Sequence, residues 1–133
     1  MNLTYLSLLV AGILPIICAG IAKAGFKGYD NRDGRAWLAR QTGFRARANA
    51  AQANSFEAFP FFACGVLICL VSGIDRATLD GLCILFVGAR FAYIACYVAD
   101  KATLRSLVWA VGWFATIALY VQANPPLLRV FAL

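Results

Sequence analysis

Apolar residues gather into four long runs, at 3–22, 53–72, 82–99 and 106–123. The first and last hold no charged side chain; Glu57 alone interrupts the second and Arg90 alone the third. Apolar runs of about 18 residues or more match a helix crossing a bilayer, whereas a barrel strand needs only about 9–11 residues that alternate polar with apolar. A helix also satisfies its backbone amides within its own segment, as lipid requires. Pro15 and Pro60 fall inside two of the runs, which membrane helices tolerate by bending. An alanine-rich stretch ahead of the second run extends that helix beyond the lipid. The pattern predicts an all-α integral membrane protein, a four-transmembrane-helix bundle with helices at about 3–24, 45–72, 78–99 and 104–123, forming one membrane domain over residues 1–133.

Composition agrees with this reading. Of 133 residues 62% are apolar and 14% charged, against roughly 45–50% and about 25% in soluble domains. Four spans leave no length for a separate soluble domain. The first run has no basic residue ahead of it, so it is expected to be a retained helix and not a cleaved signal peptide.

The net charge is +6, and seven of the twelve Lys and Arg residues lie between Lys23 and Arg47, in and around the first connection: Lys23, Lys27, Arg32, Arg35, Arg40, Arg45 and Arg47. Lys101 and Arg105 flank the third connection, while Arg76 and Arg129 mark the opposite side. The positive-inside rule then expects a cytoplasmic basic loop and both termini outside, in a bacterial inner membrane. Membrane lipid headgroups are the expected partner of the basic loop, with Trp37 at the headgroup interface. Nucleic acid is not expected, because interleaved aromatics and a soluble module are missing.

The five cysteines all lie inside the apolar runs, none forms a CxxC pair, and the chain has no histidine. Zinc sites and Ser-His or Cys-His catalysis are thereby excluded, and no metal is expected. Gly81 and Gly88, seven residues apart, are expected to permit close helix contact. The aromatics Phe59, Phe61, Phe62, Phe86, Phe91, Trp109, Trp113 and Phe114 are expected to form a greasy groove or a partner surface, or else to face lipid or pack within the bundle.

The unusual chemistry lies in the second and third runs. Arg47, Asn54 and Glu57 stand at i, i+7 and i+10, on one helix face; Arg90, Tyr93 and Tyr97 stand at i, i+3 and i+7, on another. Arg90 lies about ten residues, or roughly 15 Å, from the end of its helix. An ionised arginine at that depth costs about 2.5–3.5 kcal/mol on insertion scales. Two arrangements would offset this: an interhelical Glu57–Arg90 ion pair, or a cavity binding a small zwitterionic or anionic molecule through Glu57, an arginine and Asn54.

Four short helices, a basic first connection, Asn54-x-x-Glu57 ahead of Pro60, and Arg90-x-x-Tyr93-x-x-x-Tyr97 together resemble the MAPEG family, the membrane-associated proteins in eicosanoid and glutathione metabolism. The resemblance covers nearly the whole chain and is microsomal glutathione transferase-like. It implies a homotrimer with glutathione, as co-substrate, bound between adjacent subunits and reached from the cytoplasm. Asn54, Glu57, Arg90, Tyr93 and Tyr97 would be glutathione contacts, and Arg105 the catalytic partner of the thiol. Many members have Arg where this chain has Ala50; Arg47, on the same face, is the substitute. The implied activity is a glutathione-dependent transferase or peroxidase acting on lipophilic electrophiles or lipid hydroperoxides. The alternative is a non-catalytic lipid-binding protein or accessory subunit of a larger membrane assembly.

Overall fold

A computed structural model describes residues 2–25 and 27–124; Arg129 lies outside them. Helix α1 (Leu3–Lys23) begins where the Asn2 side chain accepts a hydrogen bond from the Thr4 amide at 3.1 Å. A short 3-10 turn (Asn31–Asp33) leads into α2 (Gly34–Ala39). Helix α3 (Gly43–Ser72) ends at Gly73, whose φ of 67° is a left-handed cap that a side chain would strain. Helix α4 (Arg76–Val98) starts at Asp75, and α5 (Ala102–Gln122) follows after Asp100, a non-glycine residue at φ 61°.

Among the described residues, α1, α3, α4 and α5 are long and apolar enough to cross a membrane. At 30 residues, α3 is about 45 Å long, well beyond a hydrocarbon core of roughly 30 Å, so its arginine-bearing first turns stand clear of the lipid. The starts of α3, α4 and α5 lie two residues ahead of the expected positions, because polar capping turns carry no hydropathy signal. Expectation also omitted α2, whose six residues are too short to show a period.

Polar contacts fix the alternating direction of the spans. At one end the Thr4 hydroxyl donates to Asp80 Oδ1 at 2.5 Å, and Arg76 Nε lies 3.4 Å from Asp80 Oδ2, tying the starts of α1 and α4 together. At the other end, Arg45 donates to the Ala24 carbonyl at 2.9 Å and Arg47 to the Val98 carbonyl at 3.1 Å. Both carbonyls belong to helix ends that have no intrahelical donor, and both ends carry partial negative charge, which suits a guanidinium.

The core is built chiefly from α3, α4 and α5. Phe62 and Phe86 stack with ring centroids 3.8 Å apart, beside Val66, Cys69, Leu79 and Leu119. These two rings therefore pack within the bundle, one of the expected arrangements, whereas Phe61, Trp109 and Trp113 face outward. A second cluster of Leu14, Cys18, Ala51, Tyr93 and Ile94 joins α1, α3 and α4 nearer the basic end. The close helix contact is made at Gly65 and not at Gly81 or Gly88. A Cβ on Gly65 would lie 3.0 Å from the Tyr120 ring, while Cβ atoms on the other two would meet nothing within 4 Å. Trp37 is 6% exposed and meets Tyr29 edge-on at 5.1 Å, so its ring packs inside the connection. Outward faces are apolar, with Val71 89% and Phe114 68% exposed, as lipid contact demands.

Candidate functional site

Helices α3 and α4 bring Asn54, Ser55 and Arg90 together. Arg90 is 4% exposed, and its two terminal nitrogens donate to Asn54 Oδ1 and Ser55 Oγ, each at 2.9 Å. The Ser55 hydroxyl in turn donates to the Ala51 carbonyl at 2.8 Å, and the guanidinium carbon lies 4.3 Å from the centre of the Tyr93 ring. The arginine is thus held in place by neutral acceptors and an aromatic face. Of the two arrangements open to Glu57 and Arg90, the ion pair is not formed: among the described residues Arg90 joins no salt bridge, and Glu57 is exposed.

Asn54, Glu57 and Arg90 line one cavity of about 160 Å³, walled on its apolar side by Phe61, Trp109 and Trp113. The placement follows from the register. Asn54 and Glu57 are one turn apart on α3, and Arg90 lies opposite them on the face of α4 that also carries Phe86. Arg90 thereby offers a buried positive charge and Glu57 a negative one within a single hollow.

A second groove, of about 440 Å³, is lined by Tyr93, Tyr97, Arg105, Ser106 and Trp109. The Arg105 guanidinium carbon sits 4.2 Å over the Tyr97 ring, and Tyr93 meets Tyr97 edge-on at 5.5 Å. Trp109 lines both hollows and stands between the two sets of polar residues. Six of the seven expected site residues therefore line two adjoining hollows.

Arg47 does not join them. Its guanidinium is bound to the Val98 carbonyl and lies 3.8 Å from Asp100, at the end of α4. Sharing a face with Asn54 was not sufficient. Seven residues separate the two by roughly 10 Å along the helix, and the open carbonyls of α4 lie nearer. Ser55 is the residue that spacing arguments missed. Its one available signal was adjacency to Asn54, combined with the need of a buried guanidinium for several acceptors.

The sequence model of the MAPEG family matches residues 3–124 of the chain, all but its ends. The chain belongs to the MAPEG family. Members of that family are membrane glutathione transferases or peroxidases, or enzymes of eicosanoid synthesis. No curated protein matches this MAPEG chain. Family membership and four apolar helices make it an integral membrane protein. The residues matched to the family include both hollows of the MAPEG chain, from Asn54 on α3 to Thr116 on α5.

Proposed function

We propose that this MAPEG chain is a glutathione-dependent transferase or peroxidase acting on lipophilic electrophiles or lipid hydroperoxides. The observation that carries the reading is Arg90, a buried cation with no carboxylate partner among the described residues, beside a cavity whose lining also includes Glu57. A buried charge left unpaired is costly unless a ligand supplies its counter-ion. Glutathione supplies carboxylates for an arginine, an ammonium for Glu57 and amide groups for Asn54.

The chemistry needs no protein nucleophile. A free thiol has a pKa of about 8.5 and is only a few per cent ionised near neutral pH. A guanidinium in hydrogen-bond range favours the thiolate, each pKa unit being worth about 1.4 kcal/mol. Arg105 is assigned that role; it lies in the neighbouring groove with Tyr93 and Tyr97, which shape the wall. The thiolate attacks an electrophilic carbon, forming a C–S bond while the leaving group departs with the electron pair. With a hydroperoxide it attacks the terminal oxygen, breaking the O–O bond to release the alcohol and leave a sulfenic acid, and a second glutathione displaces water from that sulfur to form the disulfide. Both substrates concentrate in the membrane, next to Trp109 and Trp113.

The same reading includes a homotrimer with glutathione between subunits, a basic connection in the cytoplasm and both termini outside, in a bacterial inner membrane. One observation favours a second reading, a lipid-binding protein without turnover: Arg47, the substitute for the arginine missing at Ala50, is committed to the end of α4.

Glutathione titration of the purified protein, followed by thiolate absorbance and thermal shift, tests the proposal. Saturable stabilisation that is lost in Glu57→Gln and Arg90→Ala is expected. Folded protein on which glutathione has no effect would overturn this reading and leave the second.

A further inference from the structure

We infer that Arg47 is a positioning residue: by clamping the turn between α4 and α5 it sets Arg105 over Tyr97. The inference rests on the reading of Arg105 as the group that favours the thiolate. Two backbone hydrogen bonds close that turn, from the Asp100 amide to the Tyr97 carbonyl at 3.1 Å and from the Lys101 amide to the Cys96 carbonyl at 2.8 Å. This closure puts Asp100, the residue after the helix cap, in the left-handed region at φ 61°, where glycine is the usual occupant. Neither bond uses the Val98 carbonyl; Arg47 Nε donates to it from α3, at 3.1 Å. The Asp100 carboxylate, 3.8 Å from Arg47 Nη1, gives the same guanidinium a second hold. Asp100 is largely exposed, so that ion pair contributes little alone. The bond to the carbonyl, at the negative end of α4, is the clamp.

The clamped turn joins the two members of one contact. Tyr97 stands just before Val98, and the Arg105 amide donates to the Lys101 carbonyl at 2.9 Å, in the first turn of α5. The Arg105 guanidinium carbon then rests 4.2 Å from the centre of the Tyr97 ring. A turn that opened would shift the start of α5 against the end of α4 and carry Arg105 off that ring. Misplacing a catalytic group by about 1 Å can cost on the order of 100-fold in rate; here the loss is bounded by what Arg105 itself contributes. Arg47 lines neither hollow, so it acts without touching the guest. The clamp also accounts for an aspartate at a position where glycine is less strained.

Conjugation kinetics across pH, with hydrogen exchange on the same proteins, test the inference. Tyr93 and Tyr97 of α4 share the groove of Arg105, and Glu57 of α3 and Arg90 of α4 line the adjoining hollow; all four stay in place. Arg47→Ala should lower kcat about five-fold near neutral pH, within the roughly ten-fold that one unit of thiol pKa represents. It should leave the KM for glutathione unchanged and lose less at alkaline pH, where the thiol ionises unaided. The Asp100 and Lys101 amides should exchange faster than in the unaltered protein. Arg47→Lys, which keeps a donor for the Val98 carbonyl, should restore both properties. In an Arg105→Ala background the Arg47 substitution should lower turnover no further. Should Arg47→Ala not fold, Asp100→Val, whose branched side chain opposes a positive φ, should give the same kinetic signature, and Asp100→Gly should not. Unchanged exchange or unchanged kinetics overturns the inference, as do losses at Arg47 and Arg105 that multiply. A raised KM with kcat intact would instead make Arg47 a glutathione contact and refute the clamp. Full turnover by Arg105→Ala alone removes the reading of Arg105, and this inference with it.

Discussion

Glu57→Gln separates a structural carboxylate from a ligand-binding one. If Glu57 paired with Arg90 inside the bundle, removing its charge would strand a buried guanidinium, at a cost of about 3–5 kcal/mol. In the structure Glu57 is exposed, and Arg90 is bound by Asn54 and Ser55 instead. The substitution keeps size and shape and removes no ion pair, so without glutathione it should cost no more than about 0.5 kcal/mol, the ordinary range for a surface change. For a chain of this length 1 kcal/mol corresponds to roughly 3–4 °C in the midpoint. The structure thus expects a shift of about 2 °C or less, where the ion pair would give about 10 °C or more. Thermal unfolding of both proteins in one detergent, without glutathione, decides between them. A fall of ten degrees would refute Asn54 and Ser55 as the groups that hold Arg90. With glutathione added, only the unaltered protein should gain stability.

Arg105→Ala should leave glutathione binding nearly unchanged while lowering conjugation of a model electrophile about ten-fold near neutral pH, the loss of one unit of thiol pKa depression; unchanged turnover would remove Arg105 from the chemistry. Gly65→Ala should destabilise the bundle by about 1–3 kcal/mol, because its methyl would meet the Tyr120 ring at 3.0 Å and Leu119 Cβ at 3.3 Å; a thermal midpoint equal to that of the parent would contradict that packing. Asp75 is held below the usual carboxylate range by hydrogen bonds from the Thr78 amide and hydroxyl. Because its pKa is lower folded than unfolded, its contribution is present above the ordinary carboxylate pKa and drains away as pH falls through the folded value. Asp75→Asn should flatten the acid limb of stability against pH, and an unchanged acid limb would count against the cap.

The four spans were readable directly from the residues, since long charge-free runs have few other physical solutions. Their rotation was not. Gly81 and Gly88 have the composition of a contact, yet Gly65 makes it, because which face turns inward depends on all four helices together. The same holds in the site. Asn54, Glu57 and Arg90 were identifiable because charge inside an apolar run is conspicuous, whereas Ser55 is an ordinary residue until a guanidinium arrives across the interface. The contact Arg47 makes was hidden for a related reason: its partner is a backbone carbonyl, and no side-chain pattern announces the position of a helix end. Trp37 was read by residue type alone, and only the folded connection reveals that its ring packs on Tyr29.

Trp109 contributes to both hollows, the one with Asn54, Glu57 and Arg90 and the one with Tyr93, Tyr97 and Arg105. A single indole is thus a party wall between two compartments of different character. Shrinking it would merge them into one chamber, and enlarging either side at that position would shrink the other. Selectivity for a greasy guest cannot then be retuned at residue 109 without disturbing the polar neighbour, so variation that alters one and spares the other must be sought at Phe61, Trp113 or Ser106, each of which borders one compartment alone.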